Sequence, residues 1–495
     1  MKDFSLHISE ILDQIILSIP VFVPELILIA AFILSVIATL AFDRYWKHSS
    51  FIVAILGFIG SAVEASAQLG NPQSGFSYMI TIDDFSVYAR LIILFGCLLS
   101  TVFIQQHFSS RKTSKKLGDI YSILLTAALG VHLLTITSNW LLAFIAIETV
   151  SISSYILVGY FSENKKQSEA AMKYVLFGSV SAAVMLYGIS LLYGFTGNLD
   201  FITSQHINGL IDAPKILVSI AIIFVLVGIG FKLSFVPFHV WSPDVYEGAP
   251  TPITAFLSTV PKIGALILLA RIFEAWSTTG FYFSELLFFT IASIGIATML
   301  IGNLVALRQT NIKRMMAYSS IGHTGFLLMA IVVVNTLAPQ SFLFYIAIYT
   351  IMNLSVFAFV DIIEQSTNTT AITSYAGLGK HMPLLFTLFT LLGISLVGLP
   401  PTAGFVGKVL VFTSVFEVYQ NSQDIMYLLM MIAGALTSVI SLFYYFKIPL
   451  YAFLRPGDHE IKLSQKNTVV YIIGLVLALS SVILGIFPSL LLRLF

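Results

Sequence analysis

The stretch MPLLFTLFTLLGISLVGLPPTAGFVGKVLVFTSVFE, residues Met382 to Glu417, decides the fold of this chain. It is almost wholly apolar, and at about 1.5 Å per residue a continuous helix of this length would measure about 54 Å. The hydrocarbon core of a bilayer is only about 30 Å thick. We therefore expect a membrane-spanning helix that is broken at the GLPP sequence, Gly398 to Pro401, with Lys408 beyond the break.

The composition of the whole chain is that of a membrane protein. Of its 495 residues, 58% are hydrophobic and 10% are charged, and the mean hydropathy is +0.95, whereas soluble domains carry about 25% charged residues. Because a spanning helix needs about 20 mostly apolar residues, the sequence predicts an all-α polytopic membrane protein with about fourteen transmembrane helices. The predicted spans begin near Pro20, Phe51, Asp84, Asp119, Asn139, Ser168, Pro214, Ile253, Glu285, Lys313, Ser341, Met382, Ile425 and Thr468.

The distribution of basic residues predicts the orientation. If the N-terminus faces outward, the odd-numbered loops face the cytoplasm, and these loops hold 16 of the 25 lysines and arginines. The even-numbered loops hold essentially Lys215, which satisfies the positive-inside rule. The cytoplasmic set is Arg44, Lys47, Arg111, Lys112, Lys115, Lys116, Lys165, Lys166, Arg308, Lys313, Arg314, Lys380, Lys447, Arg455, Lys462 and Lys466. We expect a multi-pass protein of a bacterial inner (plasma) membrane, with no cleaved leader and both termini on the periplasmic side.

The sequence gives no support for a cofactor on this chain. Cys97 is the one cysteine and lies in an apolar run, where a buried small side chain is expected rather than a reactive thiol. One cysteine excludes a disulfide framework and a four-thiolate metal site. GxGxxG and GxxxxGK[ST] runs do not occur, so nucleotide binding has no support. The driving energy is therefore expected from a partner or an ion gradient.

A second broken span indicates an internal repeat. The run from Pro214 to Trp241 is apolar as far as Gly228 and Gly230, and Pro237 follows. Paired Gly/Pro-interrupted spans in two halves of a transporter are typical of inverted repeats around an ion site. We predict two inverted five-helix repeats, spans 4–8 and 9–13, with spans 7 and 12 broken. The predicted domains are 1–118, 119–283, 284–450 and 451–495; the alternative is two unrelated proline kinks.

Ionisable residues within the apolar spans predict the function. Such a residue costs roughly 2.5 to 3.5 kcal/mol on insertion scales, so it usually marks an ion or proton pathway. A buried lysine that gains and loses a carboxylate partner can hold or release a proton near neutral pH. The chain therefore looks like part of a proton-moving machine, whose candidate residues for proton transfer are Glu148, Lys173, Lys232, Lys262 and Lys408.

Each of these charges has a structural alternative. Lys173 is about one turn from the cytoplasmic start of span 6 and could snorkel to the interface. Lys232, Lys262 and Lys408 could form structural pairs with carboxylates. Glu148, near the middle of span 5, is the expected counter-ion for a lysine of span 6 or 7.

Other polar positions extend the candidate path or fall outside it. His239 and His323 are possible proton relays, although ordinary hydrogen-bonded histidines would be as consistent with the sequence. Glu25 is expected to be an interfacial or helix N-terminal carboxylate, and Glu64 is open between a partner contact and the path. We expect Asp244, with Glu247, to fix the turn after span 7 or to meet another subunit. Hydroxyls that could carry waters, but could equally be packing residues, belong to Tyr155, Tyr349, Ser319, Ser320 and Thr324.

Three motifs carry a resemblance to a known family. The run FKLSFVPFHVWSPDVYEGAPTPITAFLSTVPKIGA, Phe231 to Ala265, resembles the signature of subunit N of the proton-pumping NADH:quinone oxidoreductase, respiratory complex I. KRMMAYSSIGHTGF, Lys313 to Phe326, and GLPPTAGFVGK, Gly398 to Lys408, are similar to the same family. The resemblance covers the chain from the first to the last predicted span, and the long VPFHVWSPDVYEGAPTP block makes it specific.

The resemblance implies an antiporter-like subunit in the membrane arm of a translocase that has its redox centres in other subunits. NADH, FMN, iron-sulfur clusters and quinone would then belong to partner subunits, and the neighbours would include other antiporter-like subunits and the lipid bilayer, without nucleic acid. It also implies that Glu148 pairs with a lysine of span 6 or 7, that Lys232 passes a proton through Lys262, and that Lys408 leads outward.

Two other functions remain open at this point. A subunit of a multi-subunit cation/proton antiporter shares the fold and the buried lysines, although the YEGAPTP sequence, Tyr246 to Pro252, favours the complex I subunit. A purely structural membrane scaffold is the third reading. Intact buried charges argue against it, because apolar replacements would stabilise a scaffold.

Overall fold

Helices make up nearly all of the described chain. A computed structural model describes residues 12–42, 45–109, 116–161, 164–277, 281–334, 339–457 and 468–495. The predicted cytoplasmic residues Arg44, Arg111, Lys112, Lys115, Lys462 and Lys466 lie outside them, as does most of the polar N-terminal segment. The helices are α1 Val23–Ile37, α2 Ser49–Ala67, α3 Asp84–Ser109, α4 Leu117–Ile136, α5 Trp140–Gly159, α6 Lys165–Thr196, α7 Ser204–Asp212, α8 Lys215–Leu233, α9 Trp241–Gly248, α10 Thr251–Ser277, α11 Tyr282–Ala306, α12 Ile312–Ile331, α13 Pro339–Thr367, α14 Leu378–His381, α15 Pro383–Val397, α16 Ala403–Ser422, α17 Ile425–Tyr445, α18 Lys447–Pro449, α19 Thr468–Ile486 and α20 Ser489–Leu492.

The predicted class, an all-α polytopic membrane protein, is confirmed. Among the described residues, 12 helices are long and apolar enough to cross a membrane. The other two predicted spans correspond to α12 and to the pair α15 and α16, and the count of fourteen stays a prediction. One β-hairpin departs from an all-α fold: Gln73–Gly75 pairs antiparallel with Ile80–Ile82, with Gln73 opposite Ile82.

Both predicted breaks are present, and they share one geometry. Ser234, the residue after α8, has a φ of 55°, and the Phe235 N–H donates to the Gly230 carbonyl at 3.2 Å. Gly398, the residue after α15, has a φ of 87°, and the Leu399 N–H donates to the Ile394 carbonyl at 3.1 Å. A left-handed residue with this bond is the Schellman cap. In each break a cis peptide bond precedes the proline three residues after the left-handed residue.

A second pair of matching features links the start of the second helix in each predicted repeat to the segment that follows the third helix. The Trp140 N–H donates to the Leu199 carbonyl at 2.9 Å, and the Ile312 N–H donates to the Thr370 carbonyl at 2.9 Å. Asn139 and Asn311 cap the helices that follow, α5 and α12, by accepting from backbone N–H groups, as N-cap residues do. These paired features are the local matches between the two predicted halves, and the inverted repeat with its domain bounds stays a prediction.

Two helices form the centre of the bundle. Helix α10 is enclosed along the whole of its apolar window, and helix α13 along nearly all of it. They pack against each other, and α10 also packs against α3, α4, α8 and α12. Peripheral helices such as α6, α17 and α19 expose apolar side chains instead, as lipid-facing or subunit-facing surfaces do. A polar residue within the enclosed apolar windows of α10 and α13 is therefore held away from both lipid and bulk water.

Candidate functional site

Lys262 lies at the centre of the bundle. Its side chain on α10 is 2% exposed, and its Nζ donates to Ser320 Oγ at 2.8 Å and to Thr324 Oγ1 at 3.3 Å. The two hydroxyls stand four residues apart on α12, a spacing that puts them on one face of a helix. Both partners of the Lys262 amine are neutral hydroxyls. The predicted alternative of a lysine–carboxylate pair therefore does not describe Lys262.

Hydroxyls continue from Lys262 toward α13. Ser320 Oγ lies 2.6 Å from Tyr349 OH, and that hydroxyl donates to the Ser258 carbonyl at 3.1 Å. Ser320, Thr324 and Tyr349, which the sequence could not separate from packing residues, are thus direct or second neighbours of the Lys262 amine.

His323 of α12 is buried among tyrosine hydroxyls. Its Nδ1 lies 2.8 Å from Tyr345 OH, its Nε2 lies 3.4 Å from Tyr445 OH, and Tyr445 is hydrogen-bonded to Ser319. The imidazole interacts electrostatically with both lysines. A side chain that can both donate and accept a proton therefore interacts with two buried amines.

Lys408 lies at the break of the α15–α16 pair. Its side chain is 6% exposed, and its Nζ donates to the Val397 carbonyl at 2.7 Å and to Ser438 Oγ at 3.1 Å. The amine also lies 4.6 Å from the centroid of the Phe326 ring. A helix C-terminus leaves carbonyls without intrahelical partners, so the break itself supplies the acceptor that holds the buried amine.

Lys232, in the last turn of α8, is buried without a hydrogen-bond partner among the described residues. Its Nζ lies 5.9 Å from the ring centroids of both Tyr155 and Tyr174. Glu148 interacts electrostatically with it, but the two form no hydrogen bond, and Glu148 Oε1 also lacks a partner. The structure thus brings Glu148 toward the span 7 lysine of the two alternatives.

Lys173 is not buried, and its expected place inside an apolar stretch is wrong. Its side chain is 40% exposed and its Nζ lies 2.8 Å from both Glu169 and Asp244. Only two turns separate Lys173 from the first residue of α6, where the helix packs against α9. The amine therefore reaches a carboxylate at the interface, as the interfacial alternative predicted. We call this end of the bundle, which carries Lys165, Lys166 and Arg314, the lysine-rich end.

Asp244 is the centre of a charged network at this end. It accepts from Lys173 and from Arg314, whose guanidinium lies 2.6 Å away and also contacts Glu247 at 3.1 Å. Burial opposes ionisation of Asp244, but the hydrogen bonds from Lys173 and Arg314 outweigh it and lower the pKa of this carboxyl below its ordinary value. Asp244 and Glu247 thus fix the α9 turn, one of the two roles predicted for them.

His239 stands apart from the central cluster. It is half-buried in the turn between α8 and α9, and its Nδ1 has no hydrogen-bond partner among the described residues. It forms no hydrogen bond with Lys232 or Lys262 in this part of the chain, so its relay role stays a prediction.

Four further positions correct or refine the sequence analysis. Glu25 lies in the first turn of α1, as the helix N-terminal alternative predicted, but it is not interfacial, because it is fully buried 3.1 Å from both Arg90 and His132. Lys313, assigned to a loop, is 3% exposed inside the bundle. Cys97 is buried as predicted, and Glu64 is exposed on α2. Helix contacts decide all four placements, and only the burial of Cys97 was visible in local sequence.

Tyr345 and Tyr445 were missed altogether. Tyr345, Tyr349 and Asn353 recur every fourth residue in the apolar helix α13, and this polar stripe could have indicated a lined path. Tyr445 had no comparable signal. In the described residues no three His, Cys, Asp or Glu side chains come together as a metal site.

Comparison with known proteins identifies the family. Residues 137–441 match the family described as NADH:quinone oxidoreductase/Mrp antiporter, TM. NADH-quinone oxidoreductase subunit N 2 of Chloroherpeton thalassium is 37% identical over 460 residues, which cover 91% of this chain and 88% of that protein. The chain belongs to the NADH-quinone oxidoreductase subunit N family.

Solved structures with the same fold include a chain of respiratory complex I. A chain of respiratory complex I from Thermus thermophilus has 28% identity and a TM-score of 0.77, with coverage of 95% of this chain and 98% of that chain. A chain of the Mrp complex from Dietzia sp. has 18% identity and a TM-score of 0.79, with coverage of 95% of both chains. The second likeness shows a shared fold. It explains why fold alone could not separate a subunit N from an antiporter subunit.

Proposed function

We propose that this chain moves protons across a bacterial inner membrane as subunit N of an NADH:quinone oxidoreductase. Electrons pass from NADH to quinone in partner subunits that carry FMN and iron-sulfur clusters, and this chain sits in the membrane arm beside other antiporter-like subunits. The observation that carries the proposal is Lys262, an amine enclosed at the centre of the bundle and held by the hydroxyls of Ser320 and Thr324. Subunit N membership supports the reaction.

The proposed path uses the buried lysines in order. A change in a neighbouring subunit shifts the electrostatic interaction between Glu148 and Lys232. No hydrogen bond fixes the distance between these two groups, so a small movement changes how strongly the carboxylate favours the charged amine. Lys232 passes a proton to Lys262, Lys262 passes it by way of Ser320 and His323 to Lys408, and Lys408 releases it outward. Lys173, bound to Asp244, also transfers protons at the lysine-rich end of the bundle. His239 acts as a further proton relay.

The test compares Lys262→Ala with Lys165→Ala in the complex purified through a tag on this chain and placed in liposomes. We expect wild type and Lys165→Ala to couple NADH oxidation by quinone to proton uptake or release, and Lys262→Ala to lose most of this pumping. Equal pumping by both variants would contradict the proposed path. A complex without NADH oxidation that exchanges sodium for protons would replace the proposal with the antiporter function.

A further inference from the structure

A polar cavity opens beside the lysine-rich end of the bundle. It has a volume of about 260 Å³, and the residues that line it include Lys166, His107, Thr251, Lys313 and Glu364. At about 30 Å³ per molecule, this space accommodates roughly eight waters. Under the predicted orientation the cavity faces the cytoplasm.

Two carboxylates of α13 lie at or beside this cavity, each with a basic partner from another helix. Glu364 lines the cavity and lies 3.8 Å from the Nζ of Lys313, which donates to the Ala249 carbonyl at 2.8 Å. Asp361, one turn earlier, is buried and lies 2.5 Å from His107 Nδ1. Glu364 is the more accessible acid, with 27% of its side chain exposed.

Glu364 is also joined to the helix that carries Lys262. It accepts a hydrogen bond from Thr251, the first residue of α10. Thr254 and Ser258 follow at intervals of three and four residues, and Lys262 comes four residues later. This spacing places all four residues on one face of the helix. The 11 residues from Thr251 to Lys262 rise by about 16 Å, so the polar face runs from the cavity to the buried amine.

The facing helix completes this polar face. Tyr349 of α13 donates to the Ser258 carbonyl and is hydrogen-bonded to Ser320, the hydroxyl that binds Lys262. Asn353, one turn nearer to Glu364, donates to the Tyr349 carbonyl at 2.9 Å. The polar face of α10 thus meets Tyr349 of α13 beside Lys262, and Asn353 continues the polar residues of α13 toward Glu364.

We propose that Glu364 takes up protons from water in this cavity and supplies them to Lys262. The inference rests on the proton-translocating function proposed above and deepens it by naming the acceptor. A hydronium ion gives its proton to the Glu364 carboxylate and leaves water. The carboxyl then releases this proton along the hydroxyl face of α10 to the neutral amine of Lys262, so that Glu364 returns to a carboxylate and Lys262 becomes an ammonium.

The test measures pumping by the reconstituted complex with Glu364→Gln, Glu364→Asp and the control Glu417→Gln, an exposed glutamate of α16. We expect Glu364→Gln to lose most of the pumping, Glu364→Asp to recover part of it, and Glu417→Gln to match wild type. Full pumping by Glu364→Gln alongside a loss in Lys262→Ala would overturn the uptake role and leave the proposed function standing. Full pumping by both variants would overturn the proposed function itself.

A labelling experiment tests the water-filled cavity independently of pumping. Glu364→Cys in the assembled complex is treated with a small, positively charged methanethiosulfonate added from the lysine-rich end. We expect Glu364→Cys to react, because the side chain at this position is 27% exposed and lines the cavity, while native Cys97, which is fully buried, does not react. An unreactive Glu364→Cys would show that the cavity is closed at the proposed acceptor and would overturn the proposal even if Glu364→Gln impaired assembly.

Discussion

Lys262 and Ser320 lie 58 residues apart in sequence and 2.8 Å apart in space, and their hydrogen bond joins α10 to α12. The same serine hydroxyl lies 2.6 Å from Tyr349 OH on α13. One hydroxyl thus connects three helices at the position where the proposed path has the buried amine exchange its proton.

Removal of this hydroxyl should slow proton transfer. Hydrogen bonds to charged groups contribute about 1.5 to 3 kcal/mol, so Ser320→Ala weakens the hold on the Lys262 ammonium, and we expect pumping to fall by about tenfold or more. Ser355→Ala is the matched control, since Ser355 is also buried but donates to the Gly474 carbonyl. Proton pumping in liposomes at equal complex content measures both. Equal loss in the two variants would assign Ser320 a packing role.

Glu148 should be coupled to Lys232 and not to Lys173. Lys173 is held by Glu169 and Asp244, whereas Lys232 interacts electrostatically with Glu148. Double-mutant cycles with Glu148→Gln, Lys232→Ala and Lys173→Ala, read out as pumping rates, separate the pairs. Contacting residues show interaction energies of about 0.5 to 3 kcal/mol, and independent sites add. Additive effects of Glu148→Gln and Lys232→Ala would contradict the pairing.

Glu25→Leu should strongly destabilise the N-terminal helices. It leaves the Arg90 guanidinium buried at 0% exposure without the carboxylate that now lies 3.1 Å away, and removal of one partner from a buried pair costs about 3 to 5 kcal/mol. Glu64→Leu, at an exposed position of α2, should have little effect. The midpoint of thermal unfolding of the purified complex checks both. Addition of Arg90→Met to Glu25→Leu should restore much of the loss.

Gly404→Ala should prevent the α15–α16 break from packing. A Cβ at this position would lie 1.8 Å from the Ser395 carbonyl oxygen, and that backbone atom belongs to the facing half-helix. Gly194→Ala is the control, because a Cβ there meets nothing within 4 Å. We expect complex yield to collapse for Gly404→Ala and to stay at the wild-type level for Gly194→Ala. Wild-type yield and pumping in Gly404→Ala would contradict the geometry of the break.

The Asp244 network should contribute a stability that acid removes. Because the pKa of Asp244 is lowered in the folded chain, its contribution is present above the ordinary aspartate pKa of about 3.9 and is lost as the pH falls toward the folded value. At pH 7 the free energy of unfolding of Asp244→Asn should therefore be lower than that of wild type by about 1 kcal/mol or less, given the exposure of the network. The variant should accordingly unfold at a lower temperature. The difference should shrink as the pH falls below 4, which thermal unfolding over a pH series measures. A difference in unfolding temperature between wild type and Asp244→Asn that widens as the pH falls would contradict the predicted pH dependence.

The sequence by itself determined the membrane class, the two breaks and three of the buried lysines, Lys232, Lys262 and Lys408. Run lengths and hydropathy report directly on transfer into a bilayer, and glycine and proline change the backbone wherever they stand. Lys262 and Lys408 could be selected for the same reason, because an amine among apolar residues carries its own free-energy cost.

Tertiary structure alone decided which groups meet these amines. The exposure of Lys173, the burial of Lys313 and Glu25, and the place of Tyr445 beside His323 all depend on which helix faces pack together. In a chain whose lipid-facing and protein-facing surfaces are equally apolar, hydropathy does not distinguish these faces. Hydrogen bonds between side chains more than 50 residues apart, such as that of Lys262 with Ser320, therefore become visible only in the folded bundle.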